Sequence, residues 1–159
     1  FRVGADYIEV GSYIAAAVVT GGEIRIRRAD PQYLDMIGLV LRKLGVNLVF
    51  EGEDVIVPRA QPLRIAPDLG GRIPVVKAQP WPAFPSDLMS VALLIATQSA
   101  GAVMFHEWMY DGRLYFTDRL VNMGARIALC DPHRALVQGP AALRGGQTIS
   151  SPVLKQLCQ

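Results

Sequence analysis

One spacing runs through two halves of this chain. Gly22 and Gly101 each close an apolar run and lie 101 − 22 = 79 positions apart. Gly45 and Gly124 each close the next helical run, and 124 − 45 is again 79. Leu41 and Leu120, and Leu48 and Ile127, fall on the same spacing. A repeat that keeps one register over several elements requires one supersecondary unit used twice, with each copy burying a face against its neighbour.

Each unit reads strand, helix, strand, helix, then two strands. In the first, Phe1 to Gly4 is an extended patch, and Val10 to Thr20 is an apolar helix ended by Gly21-Gly22. Glu23 to Arg28 alternates charge with isoleucine, which places Arg25, Arg27 and Arg28 on the wet side of a strand. Asp30-Pro31 opens the next helix with Asp30 as N-cap, and Leu34, Ile37, Leu41 and Leu44 form its buried stripe. Val46 to Phe50 and Asp54 to Pro58 make a hairpin through Glu51-Gly52-Glu53. Arg59 to Arg72, rich in Pro, Gly and Arg, is a connector.

The second unit follows the same order. Ile73 to Lys77 is a strand, and Gln79-Pro80-Trp81-Pro82 is a stiff approach to the longest apolar helix, opened by Ala83-Phe84-Pro85-Ser86-Asp87. Ser86 or Asp87 is placed to cap that helix. Ala102 to Trp108 is a strand, Tyr110 to Arg113 a turn, and Leu114 to Met123 a helix. Arg126 to Cys130 and Ala135 to Gln138 form a second hairpin, in which Cys130 reads as buried. The units divide as 1–71 and 72–145, and 146–159 reads as the start of an incomplete third. The expected fold is mixed α/β, with apolar helices inward and alternating strands outward.

Composition narrows the partners. A net charge of +2 over 159 residues gives no strong attraction to nucleic acid or membrane. Two cysteines, Cys130 and Cys158, form no metal-ligand spacing and fit a reducing cytoplasm. His106 and His133 lack the clustered neighbours of a metal site, and no cofactor is called for. No apolar run approaches the ~20 residues that span a bilayer. The chain begins at Phe1 rather than Met, as a fragment or processed piece does.

Three stretches carry a resemblance to the enolpyruvyl transferases. Ala83-Phe84-Pro85-Ser86-Asp87 resembles the Ala-Phe-Pro-Thr-Asp motif of the branch that acts on UDP-N-acetylglucosamine. Tyr110 to Leu114 resembles its Glu-Asn-Arg-Phe segment, and Arg119 to Ala125 its Leu-x-x-Met-Gly-Ala helix end. The Gly-Asp-x-Ser-Ser pattern of the shikimate branch is missing. The resemblance implies part of the inner domain of such an enzyme, an inside-out α/β barrel of three repeated units. It implies transfer of the enolpyruvyl group of phosphoenolpyruvate to the sugar 3-hydroxyl, a step of peptidoglycan precursor synthesis. By the same resemblance Asp87 contacts that hydroxyl as the base, Met109 meets the nucleotide sugar through its main chain, and Arg113 is an active-site arginine.

The departures from the family are also definite. The proton-donating loop of the family belongs to another domain, so a companion domain or another chain is needed and the isolated chain is expected to be inactive. Pro152 to Lys155 stands where the third unit carries Asp-x-Arg, and Gln156 to Gln159 resembles nothing in the family. Read from the residues alone, Asp87 is an ordinary helix-start acid and Arg113 an ordinary turn arginine. Trp81 and Trp108 read as core packing rather than sugar platforms. A non-catalytic module built on the same repeat is the alternative function.

Overall fold

The structure is a computed structural model that describes residues 3–146. The third-unit residues 147–159, with Cys158, lie outside the described residues. Within those described there are four α-helices, and seven strands form two sheets. The first unit holds α1 (Tyr7–Thr20), β1 (Ile24–Ile26), α2 (Asp35–Lys43), β2 (Val49–Glu51) and β3 (Asp54–Val57). The second holds β4 (Val75–Lys77), α3 (Met89–Gln98), β5 (Gly101–His106), α4 (Thr117–Asn122), β6 (Arg126–Asp131) and β7 (Arg134–Gly139).

The two units share one topology. Sheet order is β1-β3-β2 in the first and β4-β5-β7-β6 in the second, so β5, β7 and β6 stand where β1, β3 and β2 do. The strands of each triplet are antiparallel, and β4 adds to β5 in parallel. The spacing of 79 holds through α4 and then slips by one. Asp54 and Arg134 open equivalent strands 134 − 54 = 80 positions apart, and the extra residue sits at a bulge between Leu129 and Asp131. The bulge keeps Ala135 and Val137 on the buried face, as Val55 and Val57 are. A one-residue slip without it would turn that strand's apolar side to water.

Helices α1 and α3 pack on each other, α1 against β1 and β3 and α3 against β5 and β7. The approach is close at Gly11, where a Cβ would lie 2.9 Å from Leu88 Cδ1. Ile14, Leu93, Ile95, Val103 and Phe105 are fully buried between these layers. Each such side chain contributes about 1.5–3 kcal/mol of burial. Three contacts bind the units further. Ser99 Oγ donates toward Leu44 O at 2.8 Å, and the Leu63 and Ala100 main chains exchange bonds with Ala100 and Ile65 at 2.8 and 2.9 Å. The predicted stripe of Leu34, Ile37, Leu41 and Leu44 is buried throughout.

Several local expectations are corrected. Residues 3–6 join no strand; instead Asp6 caps α1, accepting from Ile8 N–H at 2.8 Å, and the helix starts at Tyr7 rather than Val10. At 14 residues α1 is also longer than α3, which has 10 and follows a 3-10 turn, Ser86–Leu88. Asp30 does not cap a helix. Its backbone is left-handed at φ 47°, and its Oδ2 accepts Ala5 N–H at 2.7 Å, tying the start of the chain down. Between Asp30 and α2 runs a 3-10 turn, Pro31–Tyr33. Leu114 to Met123 is likewise divided into a 3-10 turn, Arg113–Phe116, and the short α4. Cys130 is exposed, because β6 is the sheet's edge and Cys130 occupies its bulge.

Candidate active site

The candidate site gathers three loops at one end of the second unit. The first is the 3-10 turn Ser86–Leu88 leading into α3. Pro85 stands before it with an extended backbone, φ −72° and ψ 142°, the conformation that enters a helix. Neither Ser86 nor Asp87 caps the helix as expected, because each side chain turns to a partner elsewhere. The second loop follows β5 and carries Glu107 to Arg113. The third is the turn between β6 and β7.

Asp87 and Arg113, 26 residues apart, are brought together: Arg113 Nη2 donates to Asp87 Oδ1 at 2.5 Å. The Asp87 side chain is 62% exposed and that of Arg113 35%. The guanidinium also lies 5.0 Å from the Tyr110 ring centre, in cation–π reach. Gly112 precedes Arg113 in the left-handed region at φ 69°, where a turn needs glycine. An exposed carboxylate held by a planar guanidinium can accept a proton from an incoming hydroxyl, and the guanidinium can bind a phosphate or carboxylate.

Met109 sits in the same loop, partly buried, with its N–H donating to Glu107 Oε1 at 2.9 Å. Glu107 is fully buried, and its Oε2 accepts from Ser86 Oγ. The third loop closes on the second: Glu107 N–H donates to His133 O, and His133 Nδ1 to Glu107 O, both at 2.8 Å. His133 Nε2 lies 3.3 Å from Asp111 Oδ1, an ion pair when the imidazole is protonated. Asp131 fixes this turn. The Arg134 side chain, and then the His133 N–H, hold its carboxyl below the usual range.

Sequence reasoning missed Ser86, Glu107 and His133 as members of one network. Glu107 was legible only as an acid at the end of an apolar strand, which is a weak signal. The tryptophans are corrected: Trp81 and Trp108 are each 49% exposed. Trp81 stacks on Tyr7, with ring centres 5.0 Å apart, beside Tyr33. Trp108 donates from Nε1 to Ala78 O at 2.6 Å with Lys77 over its ring. Their polar edges and loop positions keep them at the surface, where one face stays wet.

The sequence profile of the family described as EPSP synthase (3-phosphoshikimate 1-carboxyvinyltransferase) matches residues 1–151. A UDP-N-acetylglucosamine 1-carboxyvinyltransferase of Borreliella burgdorferi is 48% identical over 152 residues, covering 96% of this chain and 35% of that protein. One from Bradyrhizobium diazoefficiens is 47% identical over 153 residues, 96% of this chain and 36% of its own. The chain therefore spans about a third of the length of these relatives. The enolpyruvyl transferase NikO from Streptomyces tendae shares the fold, with TM-score 0.74 and 23% identity over 90% of this chain and 32% of that one.

Proposed function

The chain belongs to the EPSP synthase family, and from that premise we propose that it forms part of an enzyme moving the enolpyruvyl group of phosphoenolpyruvate to the 3-hydroxyl of UDP-N-acetylglucosamine. The observation that carries the reading is the Asp87–Arg113 pair, whose partners come from the two stretches that resemble the sugar-nucleotide branch. The names of the relatives at 48% and 47% identity support that branch over the shikimate one.

In this reading Asp87 takes the proton of the sugar 3-hydroxyl as the sugar oxygen bonds to C2 of phosphoenolpyruvate and C3 gains a proton; loss of a C3 proton then restores the double bond as the C2–O bond to phosphate breaks. Arg113 orients Asp87 and faces the negative charge of the incoming groups. The Met109 main chain meets the nucleotide sugar. The chain supplies one wall of the cleft. A second wall, from a companion domain or another chain, orients phosphoenolpyruvate and protonates it. Catalysis needs both walls at once, so the chain by itself is inactive. The barrel is then inside-out, with α1 and α3 inward, and its units are 1–71, 72–145 and a third beginning at 146. The reaction contributes peptidoglycan precursors in the cytoplasm.

The test is titration of the isotopically labelled chain with UDP-N-acetylglucosamine. The amide signals of residues 83–88 and 107–113 should shift together. Phosphate release from phosphoenolpyruvate should stay at background. A self-dimer that buries Asp87 and leaves those amides unmoved would favour the non-catalytic module instead. Turnover by the pure chain would refute the two-wall argument.

A further inference from the structure

A buried carboxylate stands behind the exposed pair. Glu107 reaches no solvent, yet both of its oxygens accept hydrogen bonds, one from Ser86 Oγ and one from Met109 N–H. Ser86 precedes Asp87 directly, and Met109 lies in the loop that ends in Arg113. Glu107 is also fastened through its own main chain to His133, so all three loops of the site meet on this one residue.

We infer that Glu107 is a positioning residue, which clamps the start of the α3 segment to the Met109 loop and so sets where Asp87 stands relative to Arg113. The inference rests on the reading of Asp87 and Arg113 as the acting pair. The magnitudes require such a clamp. An exposed ion pair returns only about 0–1 kcal/mol. Ordering a long arginine side chain costs up to about 2 kcal/mol. The pair by itself therefore does not hold the two loops in register. A buried bridge does, since leaving either Ser86 or Met109 without its acceptor costs about 1–3 kcal/mol. Glu107 touches no surface where substrate would bind, so it acts only through its two neighbours.

The experiment uses the whole 159-residue chain. Glu107→Gln keeps both bonds, because its oxygen accepts from Met109 N–H and its amide donates to Ser86 Oγ. Glu107→Ala loses both, and Ser86→Ala loses one. Val57→Ala, in the buried face of β3, is the control for lost stability alone. The readout is solvent exchange of the Arg113 guanidinium protons by nitrogen-15 NMR, which slows when Asp87 holds the group. Glu107→Ala should speed it about fivefold, the factor that corresponds to the full ~1 kcal/mol such an exposed pair is worth. It should match Asp87→Ala, while Glu107→Gln and Val57→Ala stay within about twofold of the parent. If Glu107→Ala does not fold, Ser86→Ala should give a smaller acceleration in the same direction. Wild-type exchange in Ser86→Ala or Glu107→Ala, or an equal acceleration in Val57→Ala, overturns the inference. A parent chain that binds no UDP-N-acetylglucosamine counts against the proposed function and leaves the clamp to be decided by Arg113.

Discussion

Gly45 and Gly124 occupy the same place in the repeat, yet alanine should cost far more at the first. Both have a left-handed backbone, φ 89° and 105°. That conformation costs an alanine about 1–2 kcal/mol at either site. Their surroundings differ. A Cβ on Gly124 would meet Ala142 O at 3.2 Å, a contact that a small shift relieves. A Cβ on Gly45 would lie 2.3 Å from Arg64 N and 2.7 Å from Arg64 O, inside the connector backbone. The connector cannot swing aside, because Leu63, Ile65 and Ala66 are bonded to Ala100 and Lys43 at 2.8–2.9 Å. Forcing an overpacked site adds about 1–3 kcal/mol, so Gly45→Ala should cost about 2–5 kcal/mol in all. With a urea slope of about 2 kcal/mol/M, its unfolding midpoint should fall by roughly 1–2.5 M, against roughly 0.5–1 M for Gly124→Ala. Equal midpoint shifts for the two variants, with unchanged slopes, would refute the argument that the connector sits hard on α2.

In a complete enzyme assembled around this chain, Asp87→Asn should cut the catalytic rate by about 10²–10⁴-fold while the KM for the sugar nucleotide moves much less. A variant that melts the domain but keeps turnover per folded molecule would make Asp87 structural. Acid should weaken the chain through Asp54, held low first by the Arg28 N–H and then by Arg25, and through Asp131, held low by Arg134. Both carboxyls lie below their unfolded values. Their stabilisation is thus complete above about pH 4 and lost as pH falls further. Asp54→Asn and Asp131→Asn should each flatten the acid limb of urea midpoints measured against pH, and a limb of unchanged steepness would contradict this. The Cys130 thiol should react with a thiol reagent in the native Cys158→Ser variant before any unfolding, as its exposed place on the edge strand requires.

Much of the fold was legible because periodicity and helix ends are local properties. The run from Leu34 to Leu44 has one possible buried side, and glycine at 45 and 124 stops each helix whatever surrounds it. The spacing of 79 carried that information twice, so an error in one unit was checked by the other. Residue patterns did not reveal that the spacing becomes 80 in the last strand. An edge-strand bulge leaves an apolar run looking like any buried strand, and Cys130 was misread for that reason.

The sequence by itself determined the repeated unit, the order of its elements apart from the opening strand of the first copy, its buried stripes and the two stretches that carry Asp87 and Arg113. Only the tertiary structure decided what those stretches touch. Asp30 bonds Ala5 across 25 residues, Ser86 bonds Glu107 across 21, and Arg113 bonds Asp87 across 26. An acid beside proline or a serine at a helix start has a good local partner in its own first turn, and pattern reading assigns it there. Folding offers each a distant partner instead. For the buried Ser86–Glu107 bond the satisfied long-range partner outweighs a surface cap, because the alternative is a polar atom left dry.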